Sequence, residues 1–127
     1  LALHLRTYLL RSQGFNSTSI ERAFLAELRR GVQVLRAKRG GMPDVFLASE
    51  DVEGPLTQRL VAAVRNGMGG NILTSEDTRP AEGGNHSHVA LDAFLCSQSA
   101  YFVATDSSSL SAMIALLRQA GGPAHPN

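Results

Sequence analysis

The residues of this chain best suited to chemistry come directly after its short apolar runs. Each of four such runs ends in polar side chains, which together supply a cation, acidic pairs and a row of hydroxyls. If the runs are strands of an open parallel sheet, their carboxyl ends meet at the edge where such sheets bind ligands. The residues concerned are Arg6 and Thr7, Ser49 to Asp51, Thr74 to Asp77, and Thr105 to Ser109.

The hydroxyl row, TDSSSLS, stands at the start of a helical pattern. Free backbone N–H groups, hydroxyl donors and the positive end of the helix dipole together suit a phosphate there. Arg6 would add a planar guanidinium fork from the end of the first strand, as in a nucleotide diphosphate site. Serine is also a common N-terminal cap, so the local pattern leaves both interpretations open. His4 is similarly open, because a core imidazole and a ligand-contacting one both fit its apolar run.

Several other chemistries lack their motifs. No G-x-x-x-x-G-K-[ST] loop occurs, and the single lysine, Lys38, falls at the end of a helical pattern. No G-x-G-x-x-G follows a predicted strand, and the serine row lacks the G-x-S-x-G of an esterase. His86 and His88 have no further ligand at a defined spacing, and a single cysteine, Cys96, allows no internal disulfide. We therefore expect no P-loop, dinucleotide, esterase or metal site.

The apolar pattern predicts the scaffold that positions these residues. With 127 residues and 43% hydrophobic content, the chain is long enough for one domain. Four short apolar runs alternate with helical periodicity, which predicts an α/β fold: a Rossmann-like parallel sheet of about four strands with helices on both faces. We expect this domain to span residues 1–120, and residues 121–127 to form a flexible tail.

Two of the predicted helices carry specific expectations. Thr18 and Glu21 have the spacing of a capping box, and the helix behind them should end at Gly40. The last helix should run from the serines to about Gln119. Its predicted core-facing residues are Leu110, Met113, Ile114 and Leu117.

Charge is unevenly distributed along the chain although the net charge is only +1. Residues 1–40 hold eight Arg and Lys against two Glu, whereas residues 41–127 hold four Arg against nine acids. No aromatics interleave the arginines, so we expect no nucleic-acid partner. No apolar run reaches the ~18 residues of a membrane span, so we expect no membrane contact within this segment.

Three stretches of the chain resemble one enzyme family. HLRTYLL is similar to its H-x-R-R motif, VFLASED to an apolar strand followed by acids, and ALDAFLCSQSAYFVATDSSSLSAMI to Leu-Asp, Ser-Gln-Ala, a strand and a Ser-Ser pair. The family is the α1,6-fucosyltransferase group, which includes the N-glycan core fucosyltransferase and a rhizobial chitooligosaccharide enzyme. The resemblance covers the nucleotide-binding, C-terminal half of a GT-B fold.

The resemblance implies an inverting transfer of fucose from GDP-fucose to a glycan or glycoprotein acceptor, with no metal or other cofactor. Arg6 would be catalytic, because it would grip the β-phosphate where negative charge grows as the C1–O bond breaks. Asp92 would accept hydrogen bonds from guanine. The remaining donor-binding positions implied are His4, Glu50, Asp51, Ser107 and Ser108.

The chain departs from the family pattern just after Arg6. Where the family continues with Arg, Thr, Asp and Lys, this chain has Thr7 to Leu10. The family's glutamate, its candidate general base, corresponds to about Gly14 in this chain. We therefore expect the chain to be a piece of a longer protein with little or no transferase activity alone. A degenerate, non-catalytic nucleotide-sugar module and a doubly wound domain with another phosphate ligand remain as alternatives.

Two N-glycosylation sequons begin at Asn16 and Asn85. They fit a Golgi or secretory-pathway lumen if the protein is eukaryotic, with any membrane anchor outside this chain.

Overall fold

The structure, a computed structural model, describes residues 1–6, 10, 14, 16–50, 53–78, 85–105 and 109–120, of which 85–90, 109 and 110 are described by their backbone alone. Asp51, Ser107, Ser108 and the predicted tail at 121–127 lie outside the described residues.

Four parallel strands form one sheet in the order β3-β2-β1-β4. The central strand β1 (Ala2–Leu5) lies between β2 (Val45–Ser49) and β4 (Phe102–Val103), and β3 (Ile72–Thr74) pairs with β2. The predicted α/β class with a four-stranded, Rossmann-like parallel sheet is confirmed. This strand order reverses direction between β1 and β4.

Helices follow the strands in turn. The first, α1, begins after Asn16, whose side-chain oxygen accepts the N–H of Ser19 at 2.8 Å, so the cap is Asn16 and the prediction of Thr18 was wrong. It ends at Gly40 as predicted, because φ = 70° suits glycine. The helices are α1 (Ser17–Arg39), α2 (Pro55–Ala62) with a π-helical turn at Ala63–Gly67, α3 (Asn85–Gln98) and α4 (Ser109–Ala120).

The helices cover both faces of the sheet. Crossovers between parallel strands are right-handed, so the steps from β1 to β2 and β3 put α1 and α2 on one face, and the return to β4 puts α3 on the other. Leucines of the sheet fill the α1/α2 side, whereas the α3/α4 side is built largely from small residues. The larger core includes Leu3, Leu5, Leu28, Leu47 and Leu60; the smaller one includes Ala2, Ala48, Ala93, Cys96 and Ile114.

Helix α4 turns polar residues inward and apolar residues outward. Ser111 and Arg118 are each 3% exposed, and Ile114 lies between them on the same buried side. Met113 and Leu117 are 55% and 47% exposed, so the prediction that they face the core was wrong. Leu116 is exposed with them.

Arg118 is buried because it serves the end of the neighbouring helix. Its Nη1 donates to the carbonyl oxygen of Cys96 at 3.2 Å, to that of Ser99, and to the hydroxyl of Ser99 at 2.9 Å. Its guanidinium carbon lies 5.8 Å from the centre of the Phe102 ring. The carbonyls in the last turn of a helix lack intrahelical donors. Arg118 supplies hydrogen-bond donors to carbonyls at the end of α3.

Candidate functional site

The candidate site is the crevice outside the carboxyl ends of β1 and β4. In doubly wound sheets the connections leave in opposite directions at the point where the strand order reverses, which opens a crevice there. Here that point lies between β1 and β4. Arg6 follows β1, and the start of α4 follows β4. The sequence pattern and the strand order therefore point to the same edge of the sheet, and the topology selects a place along it.

Arg6 is held by its backbone and presents its side chain to solvent. Its N–H donates to the hydroxyl of Thr105 at 3.1 Å, and its carbonyl oxygen accepts the N–H of Leu10 at 3.1 Å. The side chain is 39% exposed, and its Nε lies 3.8 Å from a carboxylate oxygen of Glu50. A fixed backbone with an accessible guanidinium is suited to gripping an anion.

Thr105, His4 and Ser111 form a buried network beneath Arg6. The Thr105 hydroxyl donates to the carbonyl oxygen of His4 at 2.6 Å, and the Thr105 N–H donates to the hydroxyl of Ser111 at 3.1 Å. The Ser111 hydroxyl is also hydrogen-bonded to Nδ1 of His4 at 2.5 Å. The network joins the ends of β1 and β4 to α4, and so fixes the floor of the crevice.

Lowering the pH is expected to destabilise the domain through His4. Burial, and secondarily the positive charge of Arg6, lowers the pKa of His4 from 6.5 to about 4. Between pH 4 and pH 6.5 the unfolded chain binds a proton at His4 that the folded chain excludes. The free energy of unfolding is therefore highest above the unfolded pKa and falls as the pH drops. Urea denaturation should show the free energy of unfolding decreasing by about 2 kcal/mol between about pH 7 and pH 5.

The matched variant for this pH dependence is His4→Gln. It keeps a polar side chain beside Ser111 but has no group that titrates in this range, so its stability should vary less over the same interval. Equal pH slopes in the two proteins would contradict the assignment to His4.

A second buried network holds Asp92 at the ends of β2 and β3. The hydroxyl of Ser75 donates to Oδ2 of Asp92 at 2.7 Å and accepts the N–H of Ser49 at 3.1 Å. Asp92 is 8% exposed and Ser75 is 1% exposed. Ser49 pairs with Leu5, and Leu5 directly precedes Arg6. Asp92, which is linked to Ser49 through Ser75, therefore lies at the same carboxyl edge of the sheet as Arg6.

The structure therefore brings four predicted residues to one edge: His4, Arg6, Glu50 and Asp92. His4 and Asp92 lie below the surface, 3% and 8% exposed, whereas Arg6 and Glu50 are accessible. Three residues of the two buried networks are not among the donor-binding positions that the resemblance implies: Ser75, Thr105 and Ser111. The first two follow predicted strands, and Ser111 shares a helical side with Arg118, a polar spacing that could have indicated its inward position.

The local chemistry favours binding an anion over covalent catalysis. Burial lowers the pKa of His4, so its imidazole is neutral near pH 7 and is engaged with Ser111. Burial also raises the pKa of the Cys96 thiol to about 12, which leaves it protonated and a poor nucleophile. Arg6 supplies a permanent positive charge at the crevice.

Comparisons with protein-family models, with curated proteins and with solved structures find no match to this chain.

Within the described ranges, no helix combines the length and the hydropathy needed to cross a bilayer. In the same part of the chain, His, Cys, Asp and Glu side chains form no group of three or more that could hold a metal ion.

Proposed function

We propose that this domain binds the diphosphate of a GDP-sugar, with GDP-fucose as the donor, in the crevice between β1 and β4. The observation that carries the proposal is the position of Arg6. It follows β1 directly at the point where the strand order reverses, and its backbone is hydrogen-bonded to Thr105 from the far side of the crevice. The GT-B assignment and the sugar come from the resemblance of the three motifs.

Accessibility and charge support phosphate binding by Arg6. The 3.8 Å contact with Glu50 is a partly exposed ion pair, and such pairs contribute little free energy because water and salt screen them. A phosphate carrying more charge, and oriented for two parallel hydrogen bonds, competes effectively with that carboxylate. Glu50 would then keep the guanidinium aligned until the ligand arrives.

The resemblance assigns guanine recognition to Asp92, a carboxylate that is 8% exposed at this edge. The Ser75 hydroxyl orients this carboxylate at the edge that carries Arg6. Guanine presents two neighbouring N–H donors that a carboxylate accepts together, whereas adenine and uracil do not present that pair. The proposed division is therefore phosphate at Arg6 and base at Asp92.

Binding without transfer is the second candidate function. The chain lacks the second arginine, the acid and the lysine that follow the histidine-arginine motif in the family it resembles. The neighbouring imidazole, His4, is buried and bonded to Ser111, so it is not available as a base for an acceptor hydroxyl. A nucleotide-sugar module that has kept the fold and lost the chemistry fits these residues.

Thermal denaturation of the 127-residue chain with different nucleotides tests the proposal. We expect GDP and GDP-fucose to raise the melting temperature in a concentration-dependent manner, because a ligand that binds only the folded state stabilises it. ADP and UDP should have a clearly smaller effect. Equal stabilisation by all three diphosphates would overturn guanine recognition, and no stabilisation by millimolar GDP would overturn the diphosphate site.

Measuring GDP release from GDP-fucose separates the two candidate functions. Binding without release of GDP in the presence of glycan acceptors supports the non-catalytic module. Acceptor-dependent release supports the transferase.

A further inference from the structure

A second candidate binding surface lies at the opposite end of the domain from Arg6. It is a groove of about 550 Å³ between the C-terminal half of α1 and the segment that follows the π-helical turn. Because α1 runs back from the end of β1 to the start of β2, its C-terminal half lies at the amino ends of the strands. The groove is lined by Arg29, Val32, Gln33, Arg36, Met42, Gly67 and Met68.

The rim of the groove is positively charged. Arg29 and Arg36 are both exposed, and seven positions on a helix place them on one side about 10.5 Å apart. In the part of the chain that the structure describes, neither guanidinium has a carboxylate within 4.0 Å. The sequence from 29 to 39 contains five cations and no acid, and the one ion pair that the described residues show among these cations joins Arg30, not Arg29 or Arg36, to Glu27.

The floor of the groove is apolar and adaptable. Met42 and Met68 are half-buried there, and Val32 lies between the two arginines on α1. Methionine side chains are flexible and polarisable, which allows them to pack against apolar groups of varied shape. Gln33 adds an amide that can exchange hydrogen bonds with a polar partner.

The combination of charge and shape points to one occupant. We infer that this groove binds an amphipathic helical segment of a partner protein that carries two carboxylates two turns apart and apolar side chains between them. The carboxylates would pair with Arg29 and Arg36, and the apolar side chains would pack on the two methionines. An anionic membrane would offer head groups rather than apolar side chains to the methionines, and the lining has no aromatic ring on which a nucleic-acid base could stack.

The probe for this proposal is a fluorescein-labelled, alanine-rich peptide of about 15 residues. It carries two glutamates seven positions apart, with leucines three and four positions after the first. We expect saturable binding by fluorescence anisotropy that weakens as salt rises from about 0.05 to 0.5 M. A peptide of the same composition, with the second glutamate moved two positions off that side of the helix, should bind several-fold more weakly.

Variants of the protein locate the binding. The double change Arg29→Gln and Arg36→Gln should weaken binding by about tenfold, because it removes both cations from the groove. Arg22→Gln, an exposed arginine near the other end of α1, should leave it unchanged. Circular dichroism checks that each variant keeps its fold.

Three outcomes would overturn the proposal. Equal affinity for the two peptides would remove the requirement for carboxylates two turns apart. Unchanged binding by the double variant would place the peptide elsewhere. Binding of phosphatidylserine vesicles or a short oligonucleotide, with no binding of either peptide, would assign the basic surface to a membrane or to nucleic acid.

Discussion

Replacing Arg6 with alanine should weaken GDP binding by about ten- to a hundredfold, the usual consequence of losing charged hydrogen bonds to a phosphate. Arg6 lies at the surface, so the change should leave the core intact and separate affinity from stability. Isothermal titration calorimetry measures the affinity directly. In thermal denaturation, the variant should melt near the wild-type temperature without ligand but gain little from GDP.

Two further variants sharpen this result. Arg6→Lys keeps the positive charge but loses the planar fork, so it should recover only part of the affinity. Arg22→Ala removes an arginine from the exposed surface of α1 and should bind GDP as the wild type does. If Arg6→Ala and Arg22→Ala bind GDP equally, Arg6 does not contact the phosphate.

The second large effect is expected from the inward-facing arginine of α4. Arg118→Met should lower the free energy of unfolding by about 2 kcal/mol, because the carbonyls of Cys96 and Ser99 lose their charged donor, although that of Cys96 keeps the hydroxyl and N–H of Ser99. Methionine fills a similar length, so the loss reports the hydrogen bonds more than the volume. Urea denaturation followed by circular dichroism gives the value.

The control for Arg118→Met lies two residues earlier in the same helix. Leu116 is 66% exposed, so Leu116→Gln should change the free energy of unfolding by no more than about 0.5 kcal/mol. Helix propensity is similar for leucine and glutamine, so the comparison tests which side of α4 faces the core. A larger loss from Leu116→Gln than from Arg118→Met would contradict the orientation described for α4.

The fold was predictable because its local signals agree with one another. In α1 the apolar positions Ile20, Phe24 and Leu28 recur with the helical period, and Gly40 supplies the conformation that ends the helix. Strands such as Val45–Ser49 are short apolar runs bounded by polar residues. Their alternation with helices leaves few topologies, since crossovers are right-handed. The capping box was misread because Asn16, just ahead of it, provides the better-placed oxygen.

Helix α4 was misread for a different reason. Apolar periodicity identifies the core side of a helix only when polar residues face water. Here the carbonyls at the end of α3 provide a buried partner for Arg118, so a long cationic side chain takes an inward position. Met113 and Leu117 are left outside. No local pattern reports a partner on another helix.

The candidate site was predictable in place but not in detail. The rule that ligands bind at the carboxyl ends of parallel strands selects Arg6 and Glu50 from sequence alone. The bonds that organise the site join residues distant along the chain, such as Thr105 to His4 and Ser75 to Asp92. Hydroxyl residues are too common for such pairs to be identified without the strand register.

The pairing of β1 with β4 also determines when the sheet can be completed during synthesis. Ala2 pairs with Phe102, so the residues from 2 to 102 must all be synthesised before the central strand gains its second neighbour. Until then the nascent chain can assemble β1, β2 and β3 with the helices that precede β4, while one edge of β1 stays uncovered. An open strand edge is the feature on which nascent chains aggregate, and which chaperones protect. The buried network beneath Arg6 therefore forms only after β4 and α4 have been synthesised, since it needs Thr105 and Ser111.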